Sequence, residues 1–213
     1  MKLDKKSMLL YIVTNRSWLG NNNLSDQVKE IIESGGTFIQ LREKDLPFNK
    51  FVALGKQIKE ITDKYSVPFV INDNIEVAIQ VDADGVHVGQ SDMNVEDVRH
   101  LIGPNKILGV SAQTVNQAIS AEKQGADYIG VGAVFTTSTK KDADTVTLET
   151  LKEICNNVSI PVIAIGGINE NNILELRETG ISGVAVISAI FAKPSISLAT
   201  KELLELSKIV EVR

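Results

Sequence analysis

One cysteine, Cys155, stands in a chain of 213 residues. An intramolecular disulfide is therefore excluded, and a reducing compartment fits better than a secreted one. At its place in the pattern Cys155 reads as a small, half-buried helix residue rather than a nucleophile. Histidine is as scarce: His87 and His100 are the only two, neither at ligand spacing to a second His or Cys, so no zinc centre is expected. His87 reads as a residue of the core or one lying behind a site, and His100 as a surface residue. Aromatics at 5% are too sparse for a base-stacking surface. Positive charge is not in excess either: 22 Lys and Arg against 27 Asp and Glu give a net charge of −5, which lacks the basic footprint of a nucleic-acid or anionic-membrane binder. The apolar run from Met8 to Val13 is too short for a signal segment or a membrane span, so the cytoplasm is the expected location. With 43% apolar residues disorder is excluded. No Pro/Ser/Gly-rich linker marks a boundary, so residues 1–213 read as one domain. The expected partners are small molecules, with no nucleic acid and no membrane; no pattern specifies an oligomeric state.

What the sequence does have is repetition. Eight short, continuously apolar or β-branched runs recur: Leu9 to Val13, Phe38 to Leu41, Pro68 to Ile71, Val86 to Val88, Ile107 to Val110, Tyr128 to Val131, Val162 to Ile165 and Val184 to Ile187. Such runs are the mark of strands covered on both faces, hence parallel. Helical spacing lies between them, as in Val28, Ile31 and Ile32 before Gly35, and glycine or a small residue punctuates four helix-to-strand junctions. Eight βα units of about 27 residues each fill the chain. The expectation is an α/β fold, a single (β/α)8 or TIM barrel of nearly minimal size. A doubly wound open sheet is the alternative. It would strand the eighth strand and a terminal helix from Leu198 to Ile209, and no G-x-G-x-x-G opens the first helix.

In such a barrel chemistry sits at the C-terminal ends of the strands, and polar residues collect there. Gln40-Leu41-Arg42-Glu43-Lys44 follows strand 2 and Asn72-Asp73 strand 3; Asp92 follows strand 4 and Ser111 strand 5. Strand 6 opens into a hydroxyl-rich stretch, Thr136 to Asp144, which includes Thr137, Ser138, Thr139 and Lys140 and is expected to be a mobile loop that orders over an anionic ligand, a plain solvated loop being the other reading. Gly166 and Gly167 after strand 7 allow backbone N–H groups to approach a phosphate, and Ser188 after strand 8 begins a short helix aimed the same way; a plain tight turn is the other reading of the glycines. Asp73 and Asp92, on adjacent strand ends, would converge on Mg²⁺ with Arg42, Lys44 and Lys140 around its diphosphate, although either Asp alone also suits a helix N-cap. Gln40, Asn72 and Ser111 would read the edge of a polar heterocycle, or be satisfied within the barrel. Asp82, Asp84 and Asp127 precede their strands and belong to the opposite face.

Those motifs, with Ala83 to Gln90, Gly109 to Ala112, Gly130 to Lys140 and Ala164 to Ile168, together resemble the thiamine phosphate synthase family along essentially the whole chain. The resemblance implies a transferase that couples hydroxymethylpyrimidine diphosphate to a thiazole phosphate, or its carboxylate, with Mg²⁺. It implies that Gln40, Leu41, Arg42, Glu43, Lys44, Asn72 and Lys140 hold the pyrimidine diphosphate, and that Asp73 and Asp92 hold the metal. Ser111 would meet the pyrimidine end or the departing diphosphate. Thr137, Ser138, Thr139, Gly167, Ile187 and Ser188 would hold the thiazole phosphate. Arg42, Lys44, Ser111 and Lys140 would act in catalysis. Many relatives have Pro where Thr136 stands. In the sister tautomerases a histidine follows the strand 6 glycine; here Ala133 follows Gly132, and a methyl group cannot move a proton. A sugar-phosphate isomerase or aldolase, which needs a buried base or Schiff-base lysine at a strand end where no strand holds a lysine, and a non-catalytic phosphate sensor are the other readings.

Overall fold

Each apolar run forms a strand of four to six residues: β1 (Leu10–Val13), β2 (Phe38–Leu41), β3 (Phe69–Asn72), β4 (Gly85–Val88), β5 (Ile107–Ala112), β6 (Tyr128–Val131), β7 (Val162–Ile165) and β8 (Gly183–Val186). The computed structural model describes residues 4–20, 22–89, 93–137 and 145–210. Every strand pairs in parallel with the next, and β8 returns to β1, with Leu10 opposite Val184 and Ile12 opposite Val186, so the sheet closes. The open-sheet alternative is thereby excluded. Among the described residues the helices are α1 (Leu24–Glu33), α2 (Phe48–Tyr65), α3 (Ile75–Gln80), α4 (Val95–Ile102), α5 (Val115–Lys123), α6 (Leu148–Asn157), α7 (Ser188–Phe191) and α8 (Ile196–Val210). None is long and apolar enough to cross a membrane.

Local chemistry explains where helices begin. Side-chain oxygens of Asn23, Asn74, Thr114 and Thr147 accept N–H groups of the opening turns of α1, α3, α5 and α6, and Gln117 completes a capping box with Thr114. Two details depart from expectation. The crossover from β7 to β8 holds only a short 3-10 turn, Ile173–Leu176, instead of a full helix. At the α3–β4 junction the left-handed residue is Asp82, with φ 52°, rather than a glycine. Cys155 is buried outright in α6, and His100 is exposed on α4.

Period-two alternation splits the apolar residues into two cores. Outward-facing strand residues such as Ile12, Ile39, Ile71, Val86 and Ile129 pack under the helices. Inward-facing Tyr11, Val13, Phe38, Val70, Ile107, Tyr128, Ile163 and Ala185 fill the barrel, with Met8 beneath them. Each large side chain so buried contributes about 1.5–3 kcal/mol of transfer free energy. Three rings form the floor: Tyr11 stacks on Phe38 with centroids 4.4 Å apart, and Tyr128 meets Phe38 edge-on at 5.9 Å. At the N-terminal face Asp84 Oδ2 accepts the Phe69 N–H at 2.8 Å and Asp127 Oδ2 the Leu108 N–H at 2.8 Å, while Lys106 pairs with Asp82. All three aspartates thus serve structure, at the face opposite the strand ends that carry the candidate site.

Candidate active site

The alternation that fills the barrel with rings places polar side chains one layer higher. Gln40 follows Phe38 by two residues, Asn72 follows Val70, and Ser111 follows Ile107 and Gly109, so all face the barrel interior. Asn72 sits opposite His87 in the β3–β4 register and Ser111 opposite Gly130 in β5–β6. Gln40 is buried, and Asn72 and Ser111 are half-buried. Beneath them runs a chain of hydrogen bonds that the sequence reading missed. Gln40 Nε2 lies 2.9 Å from Tyr11 Oη, which lies 2.7 Å from Tyr128 Oη. Tyr128 Oη is 2.9 Å from His87 Nδ1, and His87 Nε2 is 3.0 Å from Ser111 Oγ. Burial pushes both phenol pKa values well above their ordinary range. His87 is therefore the core histidine that was expected, but one bonded at both ring nitrogens. Two glycines make room for this layer. A Cβ on Gly109 would come within 2.1 Å of the Tyr128 ring, and one on Gly130 within 3.1 Å of His87 Cε1.

Around the rim, the segment after β2 is held from behind. The Arg42 N–H donates to Thr14 Oγ1 at 3.0 Å, and Thr14 is itself fully buried. Glu43 turns away from solvent to meet Arg16 in a forked pair, with Nε within 2.9 Å of both carboxylate oxygens and Nη2 at 2.7 Å. With Glu43 neutralised in this way, half-buried Arg42 and exposed Lys44 flank it at the mouth. Neither Thr14 nor Arg16 was singled out in the sequence; their signal was position, just after the first apolar run.

Asp73 does not cap α3, a task performed by Asn74, whose Oδ1 accepts the Val77 N–H at 2.9 Å. Instead Asp73 adopts φ 60°, its N–H donates to the His87 carbonyl at 2.8 Å, and its side chain is exposed at the strand end. A left-handed conformation costs a non-glycine residue about 1 kcal/mol. Asp92, which would share its cation, lies outside the described residues, as do Ser138, Thr139 and Lys140. Among the described residues no three His, Cys, Asp or Glu side chains gather around a point.

At the far side of the mouth Gly166 and Gly167 both have positive φ, 101° and 67°. The Gly167 carbonyl is drawn outward by Asn169 Nδ2 at 3.1 Å and Asn172 Nδ2 at 3.0 Å. The loop from β6 presses on this turn: a Cβ on Gly167 would lie 2.5 Å from the Thr136 carbonyl oxygen, and one on Gly166 2.5 Å from Ala133 Cβ. The glycines are required by the packing of that loop, whatever binds above them. Thr137 is half-buried on the same loop. Next to it Ile187 leads into α7, whose first residue is Ser188 as expected, and both are half-buried.

The profile of the family described as thiamine monophosphate synthase matches residues 10–190. The chain is 51% identical over 203 residues to the thiamine-phosphate synthase of Ruminiclostridium cellulolyticum, covering 95% of this chain and 97% of that one. It is 50% identical over 194 residues to the thiamine-phosphate synthase of Clostridium tetani, covering 91% and 93%. The solved thiamine phosphate pyrophosphorylase of Pyrococcus furiosus superposes with a TM-score of 0.89 at 40% identity over 97% of this chain and 98% of that one. A closed parallel barrel, polar strand ends and matches along nearly the whole length agree, and the chain belongs to the thiamine monophosphate synthase family of transferases.

Proposed function

We propose that this chain joins hydroxymethylpyrimidine diphosphate to a thiazole phosphate, giving thiamine phosphate and diphosphate, and that residues 1–213 act as one barrel domain. The observation that carries the reading is the double character of the mouth. Inward-facing Gln40, Asn72 and Ser111 form a polar layer over the ring floor, and the glycine turn after β7 has its Gly167 carbonyl bonded by Asn169 and Asn172. The polar layer suits a flat heterocycle, and the turn suits a monophosphate.

In this reading Gln40 and Ser111 take the pyrimidine. Leu41, Arg42, Glu43, Lys44, Asn72 and Lys140 surround its diphosphate, with Glu43 acting through its pair with Arg16. Thr137, Ser138, Thr139, Gly167, Ile187 and Ser188 take the thiazole phosphate. The exposed Asp73 carboxylate is a hard oxygen donor of the kind Mg²⁺ selects, and Asp73 with Asp92 would hold that ion. When bound, the metal supplies positive charge to the diphosphate. The bond from the pyrimidine methylene to the diphosphate oxygen breaks, its electron pair leaves with the diphosphate, and the thiazole nitrogen lone pair makes the new C–N bond. No protein nucleophile is consumed. Arg42, Lys44 and Lys140 neutralise the leaving group, and the two sub-sites hold the reactants in contact.

The test supplies purified protein with both substrates and Mg²⁺. Thiamine phosphate and diphosphate should form in equal amounts. Folded protein that yields neither would refute the reading. Reduction with borohydride should trap no adduct on Lys140, since a lysine in a polar stretch of sequence beside Lys141 is badly placed to lose its proton.

A further inference from the structure

We propose that Tyr11, Tyr128 and His87 are positioning residues that fix the hydrogen-bonding sense of Gln40 and Ser111, and so make Gln40 select an aminopyrimidine over its oxo counterpart. The choice of ligand rests on the function proposed above; the sense of the chain does not.

Five residues on β2, β1, β6, β4 and β5 are joined by four bonds: Gln40 to Tyr11, Tyr11 to Tyr128, Tyr128 to His87, and His87 to Ser111. Tyr11 and Tyr128 are fully enclosed, and each phenol has one hydrogen to give. Gln40 Nε2 is a donor only, so Tyr11 Oη accepts from it and must spend its own hydrogen on Tyr128. Tyr128, having accepted, donates to His87 Nδ1. An imidazole nitrogen that accepts carries no proton, so the proton of a neutral ring sits on Nε2 and is donated to Ser111 Oγ. Ser111 Oγ is thereby the acceptor in its bond with His87. One amide at one end thus dictates the tautomer of the histidine and the polarity of the serine at the other. A buried phenol left without its bond is disfavoured by its lost hydration, which is why the five groups switch together.

The consequence falls on the ligand. With Nε2 held on Tyr11, Gln40 offers its carbonyl oxygen, an acceptor, to whatever enters the barrel mouth. It cannot exchange carbonyl for amide N–H without reversing all four bonds. A heterocycle with an exocyclic amine meets this acceptor. Replacing the amine by a carbonyl sets two acceptors face to face at Gln40. Gly109 and Gly130 give up side chains to seat the Tyr128 and His87 rings.

Two measurements test this. The chain holds only two histidines, so protein labelled with ¹⁵N-histidine resolves His87 from exposed His100 by NMR without any ligand. The expected spectrum has a bare Nδ1 and a protonated Nε2 on His87. A proton on Nδ1, alone or with one on Nε2, overturns the proposal, because it reverses or breaks the chain. The second compares the amino- and oxo-pyrimidine diphosphates in wild type and Tyr128→Phe. The variant keeps the ring but frees Tyr11 to turn and donate to Gln40, so the amino-over-oxo ratio of kcat/KM should fall at least about tenfold. An unchanged ratio in folded Tyr128→Phe also overturns it. If wild type converts neither compound, the functional reading fails, and the histidine spectrum still decides the sense of the chain.

Discussion

At Asp73 a conformational cost and a charge coincide on one residue. Its φ of 60° is tolerated by Asp and Asn better than by most side chains but is free only to glycine. Asp73→Gly should therefore raise stability by about 1 kcal/mol, or about 2–4 °C in Tm, while lowering turnover at least about a hundredfold through loss of the proposed metal ligand. Asp73→Asn should lose the same activity with no gain in Tm. Thermal melts alongside steady-state rates in Mg²⁺ check both, and near-full turnover by folded Asp73→Asn would remove this residue from the metal site. The charged and amide residues of the mouth were legible because they directly follow apolar runs. Tyr11 and Tyr128 were not, since a tyrosine inside an apolar run looks like any core aromatic. Only the parity that places Gln40 two residues beyond Phe38 would have turned their hydroxyls toward it.

Among the elements, the strands were the most legible and the β7–β8 crossover the least. Their bounds in the structure shift by a residue or two from the apolar runs, as at Gly85, which begins β4 and has no room for a side chain, since a Cβ there would lie 1.9 Å from the Ile107 carbonyl oxygen. The residues after Gly167 have polar and apolar positions that fit a helix, yet Asn169 and Asn172 spend their side chains on the Gly167 carbonyl and only a 3-10 turn forms. That turn gives Gly167→Ala a defined effect. The substitution meets φ 67° and the Thr136 carbonyl oxygen at 2.5 Å, so the β6 loop must shift. The KM for thiazole phosphate should rise several-fold, with a smaller change for pyrimidine diphosphate. Equal changes in both, in folded protein, would mean that the two phosphates are assigned to the wrong strand ends.

For the whole molecule, the aspartates that hold the strand starts and the candidate site lie at opposite ends of the barrel. Asp127→Ala removes an acceptor for the Leu108 N–H at 2.8 Å and for Arg99 Nη2 at 2.6 Å, which should cost about 1–3 kcal/mol and leave kcat/KM within about twofold of wild type. A large loss of activity at unchanged Tm would contradict this division of labour. The eight-unit architecture itself was readable because period and punctuation recur around the ring, so one misread boundary did not disturb the count. The three-ring floor beneath Gln40 and Ser111 has a kinetic corollary. A barrel sealed below has a single doorway, and whatever sits deepest must arrive first and depart last. In the assignment proposed above the pyrimidine sits beneath the doorway and the thiazole phosphate on its sill, so traffic is ordered: excess thiazole phosphate should block entry and slow turnover, and raising the pyrimidine diphosphate concentration should clear the obstruction.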